Sequence, residues 1–133
     1  MKSTIVIYEH EHESGKASAK HIAYYLGAQT TCTRHIEPSI VDSYDNFVLC
    51  VSSWNGDSLP TEWDRAMATL GQYDLSGKLF TVYVDGTLPA VQVVCIDSLY
   101  ALLRRCHARV VSMPVWQRTH DINEWICSMS PNL

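Results

Sequence analysis

Apolar runs of strand length alternate along this chain with segments of helical period, and no other feature constrains the fold as strongly. The strand-like runs are Thr4 to Tyr8, Thr30 to Arg34 (the weakest), Phe47 to Ser52, Leu79 to Val84 and Arg109 to Met113. Three of them are rich in Val and Ile with apolar residues on both faces, the pattern of strands covered on both sides. Between and after them, Ala19, Ile22, Ala23 and Leu26 repeat at i, i+3, i+4, i+7. Trp63, Ala66, Met67 and Leu70 repeat it, as do Ile122, Trp125, Ile126 and Met129; Cys95, Leu99, Leu102 and Cys106 form a similar stripe. Asp121 with Glu124 reads as a capping box, Pro60 suits the first turn of the helix carrying Trp63, and Ser76-Gly77 punctuates the approach to the fourth strand. Five strands and four helices in alternation predict an α/β fold with a doubly wound parallel sheet.

Length and composition narrow the functional classes. With 133 residues and 47% hydrophobic residues, a single domain spanning 1–133 is expected. A formal charge of −4 opposes nucleic-acid or anionic-membrane binding, both of which need a basic surface to displace counterions. Cys32, Cys50, Cys95, Cys106 and Cys127 show neither CxxC spacing nor pairing, and most sit in apolar stretches where a thiol acts as a small hydrophobe. An odd count with no signal peptide suits a reducing, cytoplasmic compartment; Met1 to Tyr8 is too short for a signal core and reads as a strand.

In doubly wound sheets ligands bind beyond the carboxyl ends of the strands, where strand order reverses. That places weight on three loops: Glu9 to Gly15, Ser52 to Pro60 and Asp85 to Val91. The middle loop is the most specific. It reads Ser52-Ser53-Trp54-Asn55-Gly56-Asp57-Ser58-Leu59-Pro60-Thr61-Glu62-Trp63. A Trp directly after a strand can lay its ring on a planar ligand, and the adjacent Asn-Gly lets backbone approach the ligand edge.

This stretch resembles the second flavin loop of flavodoxins, Pro-Thr-Trp-(Asn/Gly)-x-Gly-x-Leu-Pro followed by a helix with an early aromatic. The similarity runs from Tyr44-Asp45-Asn46-Phe47 to Asp74-Leu75-Ser76-Gly77-Lys78, about half the chain. The resemblance implies a flavodoxin-like three-layer sandwich with a five-stranded parallel sheet in order 2-1-3-4-5. It further implies non-covalent FMN and electron transfer to protein redox partners, with no catalytic acid or base. Trp54 takes the place of the aromatic packed on the isoalloxazine, with Ser52, Ser53, Asn55 and Gly56 beside it. Asp85 and Gly86 open the third loop, which reaches over the outer flavin edge. That loop has no aromatic between Tyr83 and Tyr100, so a flavin here would be stacked on one side and more open on the other.

The first loop departs from the family. Flavodoxins hold the FMN phosphate with Ser-x-Thr-Gly-x-Thr at the start of the first helix. Alignment through Tyr8, Ala19 and Ile22 sets His10, His12 and Gly15 at the three hydroxyl positions, with Glu11, Glu13 and Ser14 around them. A unit charge facing the phosphate costs about 1–4 kcal/mol near a surface, against roughly 0.3–2 kcal/mol gained from the helix end. The alternative is therefore a flavodoxin-fold binding or regulatory module that has lost FMN, or that takes a flavin without phosphate such as riboflavin. His10 and His12, two residues apart, would also reach one divalent metal together with a glutamate; no third ligand is fixed by spacing, and a solvated polar loop is the simpler expectation. Glu9, Glu11 and Glu13 would suit a phospho-receiver, but Ser52 stands where its Asp is needed. The Gly-rich dinucleotide fingerprint, the P-loop and a nucleophile elbow are missing from the sequence. His107 and His120 sit near helix ends, in reach of cap or dipole contacts.

Overall fold

Six consecutive residues without solvent exposure, Asn46–Val51, form the strand about which the fold is arranged. A computed structural model describes residues 3–10, 13–51, 61–84, 90–111 and 122–133. Its strands are β1 (Thr4–Tyr8), β2 (Gln29–Cys32), β3 (Asn46–Val51), β4 (Leu79–Val84) and β5 (Arg109–Val110). They form one parallel sheet in order β2-β1-β3-β4-β5, as the resemblance implied. The helices are α1 (Glu13–Leu26), α2 (Pro38–Ser43), α3 (Thr61–Leu70), α4 (Ala90–Arg105) and α5 (Ile122–Met129).

The β3 side chains alternate between two cores because successive side chains on a strand point to opposite faces. Phe47, Leu49 and Val51 join Ile5, Ile7, Phe80 and Val82 beneath α3 and α4, where Trp63, Leu70, Ile96 and Leu103 cover them. Val48 and Cys50 join Val6 and Tyr83 beneath α1 and α5, against Ile22, Ala23, Trp125 and Ile126. The Phe47 and Phe80 rings stack with centroids 4.6 Å apart and planes 7° apart, adding about 0.5–1.5 kcal/mol beyond their buried area.

Several element limits differ from the sequence expectation. Four helices were expected, and α2 is a fifth: Pro38 starts it, only Val41 of its six residues is buried, and so short a segment shows no helical stripe. Thr33 and Arg34 leave β2 for a 3-10 turn, Thr33–His35. On α4 the buried set is Ile96, Leu99, Tyr100 and Leu103, one residue along from the expected stripe; Leu102 and Cys106 are only partly buried, and the side chain of Cys95 lies outside the described residues. Both sets share Leu99 and fit a 3.6-residue period, and the aromatic area of Tyr100 decides between them. Pro60 and Asp121 also fall outside the described residues, as do the last positions expected of the third and fifth strands.

Tyr100 has a second task. Val82 lies two residues beyond Phe80, whose carbonyl accepts from the Val111 amide, so the Val82 N–H faces the β5 side past the two-residue ladder. The Tyr100 hydroxyl accepts that N–H at 3.1 Å in a buried setting. An orphaned buried amide costs about 1–3 kcal/mol, so Tyr100→Phe is expected to lower the urea unfolding free energy by that amount with an unchanged slope. Unaltered stability would remove the bond from the account.

The ends of α1 and α4 solve one problem with different residues. Gly27 takes φ +65° after α1, and Ala28 N–H reaches back to the Ala23 carbonyl at 2.8 Å. His107 takes φ +73° after α4, while His107 N–H bonds Arg104 O and Ala108 N–H bonds Leu103 O. This is the Schellman pattern, in which the left-handed residue is usually Gly. Asp74 sits near this corner; the Ser76 hydroxyl and amide both donate to its Oδ1, and with the field of His107 they hold its carboxyl below the usual range. A β-carbon at φ +73° is strained. His107→Gly is therefore expected to stabilise the fold by about 0.5–1 kcal/mol, raising Tm by about 2–4 °C; an equal or lower Tm contradicts the strain.

Candidate functional site

Strand order reverses between β1, whose outer neighbour is β2, and β3, which leads on to β4. The register aligns Tyr8 with Cys50 and Val51 with Val84, so β1, β3 and β4 end nearly level. The three loops singled out from the sequence follow these ends.

The first loop begins with a surprise. Glu9 is only 1% exposed, and by alternation it falls on the side of Ile5 and Ile7, one of the two covered faces of the sheet. It therefore does not join Glu13 as a solvent-facing carboxylate. His10 is half-buried and directs Nδ1 toward the Cys32 sulfur, 3.8 Å away. His35 Nδ1 lies 3.5 Å from that same sulfur. The β1–β2 register pairs Tyr8 with Cys32 and thereby brings His10 to a cysteine 22 positions along the chain.

Helix α1 opens at Glu13, which is exposed in its first turn, as is Ser14. A carboxylate there is favoured by the helix dipole, and it occupies the positive end that a phosphate would otherwise use. Gly15 is buried, and its carbonyl accepts the Cys50 thiol at 3.7 Å, so the first turn of α1 rests on β3. The described part of the loop thus offers one flanking hydroxyl, Ser14, and an acidic helix start.

Glu11 and His12 lie outside the described residues, as do Ser52, Ser53, Trp54, Asn55 and Gly56 of the second loop and Asp85 and Gly86 of the third. What is fixed is where those loops begin and end. The second leaves β3 at Val51 and enters α3 at Thr61. Two residues on, Trp63 is fully buried, the early aromatic expected of this helix, and its Nε1 has no partner among the described residues. The third leaves β4 at Val84 and enters α4 at Ala90.

Among the described residues, no group of three His, Cys, Asp or Glu side chains is placed to hold a metal ion. His12, the other histidine of the alternative metal reading, lies outside the described residues; a described neighbour of His10 is the Cys32 sulfur. Sequence reading missed Cys32 and His35, because only the parallel register brings them to His10. A cleft of roughly 560 Å³ lies at the opposite end of the sheet, lined by Thr4, Tyr25, Gly27, Gln29, Tyr44 and Leu133. It sits at the amino ends of the strands, away from the reversal point where doubly wound sheets place their ligands. Among the described residues, no helix is long and apolar enough to cross a membrane.

No family model matches the sequence, and no curated protein matches it. Solved structures do. A short-chain flavodoxin associated with a non-canonical PDU bacterial microcompartment superposes with TM-score 0.78 at 16% identity, covering 100% of this chain and 97% of that one. The Fusobacterium nucleatum flavodoxin bound to flavin mononucleotide gives TM-score 0.77 at 15% identity, with 100% and 99% coverage. Oxidised flavodoxin 2 from Bacillus cereus gives 0.75 at 14%, with 98% and 99% coverage. Similarity of this extent, with the 2-1-3-4-5 parallel sheet, shows that the chain has the flavodoxin-like fold.

Proposed function

We propose that the protein is a flavin-binding electron carrier that holds an FMN-type flavin non-covalently, chiefly through its ring, and exchanges electrons with protein partners. The observation that supports this reading is that fully buried β3 ends where strand order reverses, with the Trp54 segment next in the sequence, in a fold shared with an FMN-bound flavodoxin. The flavin would supply the redox chemistry. In this reading Trp54 stacks on the ring, while Ser52, Ser53, Asn55 and Gly56 present backbone to its edge. Asp85 and Gly86 pass beside the outer rim. A formal charge of −4 suits docking on a basic partner.

One observation favours a second reading. Glu13 occupies the start of α1, and the carbonyl of buried Gly15 is engaged by Cys50, where the family has hydroxyls for phosphate. A flavin lacking the phosphate, such as riboflavin, loses little at such a loop; a binding module without flavin is the limiting case.

Fluorescence titration separates these readings. Both FMN and riboflavin are expected to be quenched, with dissociation constants within about tenfold of each other, because the repulsion and the helix-end attraction are of similar size. No quenching by either at saturating concentration contradicts the carrier reading. Trp54→Ala is expected to weaken both flavins by about 0.5–1.5 kcal/mol beyond the lost contact area; an unchanged affinity removes Trp54 from the ring site.

A further inference from the structure

We infer that Cys32 is a thiol modification site, activated by His10 and His35 and open to oxidation by hydroperoxides. This inference does not rest on the flavin reading. Cys32 ends β2, the edge strand of the sheet, with its sulfur 3.8 Å from His10 Nδ1 and 3.5 Å from His35 Nδ1. A thiol has one proton, so it can donate to only one of these nitrogens, and the other can donate to sulfur in its N–H tautomer. One imidazole thus accepts the thiol proton as the sulfur attacks. The other stays hydrogen-bonded to the sulfur while negative charge builds there. Both rings already lie within reach of the sulfur.

Access and context separate this thiol from the other cysteines described. His35 is exposed, so one imidazole can exchange the thiol proton with solvent, while Cys32 itself is 6% exposed. Cys50 is buried with its thiol on the Gly15 carbonyl, an acceptor that cannot take a proton. Cys106 directs its thiol at the Gly71 carbonyl, and Cys127 is exposed on α5.

The step balances as follows. The thiol proton passes to one imidazole, and the sulfur electron pair attacks one oxygen of the hydroperoxide, forming S–O and breaking O–O. The leaving oxygen departs with the bonding pair and takes the proton back from the imidazole. Cysteine becomes sulfenic acid, and hydrogen peroxide becomes water. The new oxygen on sulfur alters its contacts with His10 and His35.

The experiment treats the native full chain with substoichiometric hydrogen peroxide, traps sulfenic acid with dimedone and quantifies each cysteine peptide by mass spectrometry. Cys32 is expected to be trapped at least about tenfold faster than exposed Cys127, the reverse of the order that exposure alone gives. His10→Gln and His35→Gln together are expected to bring Cys32 down to the level of buried Cys50 while leaving Cys127 unchanged. Cys127 ahead of Cys32 in the native protein overturns the inference, and so does a Cys32 rate unmoved by the double substitution. The native comparison needs no variant and stands even if the double substitution unfolds the chain.

Discussion

Burial of β3 on both faces is the constraint from which the remaining structure follows. Its six residues are out of solvent, it is hydrogen-bonded to β1 and β4 on its two edges, and its alternate side chains feed two separate cores. A strand in that position needs helices above and below, and parallel neighbours require the chain to cross over between strands. The same placement aligns the ends of β1, β3 and β4 at one rim. The candidate site is therefore a consequence of the core, because these strands end at a common edge.

Smaller devices complete what the ladders leave open. Beyond β5 the Tyr100 hydroxyl takes the Val82 amide. At the ends of α1 and α4 a left-handed residue closes the helix, a glycine in one case and a histidine in the other. Such devices obey short-range rules, yet two of the three turn on residues whose sequence context does not announce them. A Tyr on an apolar stripe reads as packing, and a His after a helix reads as a dipole contact.

The sheet was legible because strands covered on both faces leave continuous Val- and Ile-rich runs, as at Thr4–Tyr8 and Leu79–Val84, whose bounds the structure reproduces. The polar edge strand β2 and six-residue α2 were hard to place because neither buries a full face. The candidate site was less legible. Glu9 looked like part of an acidic loop, but it is buried where it leaves β1, a strand covered on both faces. The nearness of His10 to Cys32 comes from strand register and has no sequence signal. Sequence spacing reports neighbours along an element and is silent on neighbours across a sheet.

The central claim is that a flavin binds at the rim where β1, β3 and β4 end. Amide chemical shifts of the isotope-labelled protein titrated with riboflavin test it most directly, since they read location as well as binding. The account predicts shifts at Glu9 and His10, at the start of α1 and at the amides bordering residues 52–60 and 85–89, with Tyr25, Gly27 and Leu133 unmoved. Shifts centred on the cleft lined by Tyr25 and Leu133, or no shifts at saturating riboflavin, would contradict it.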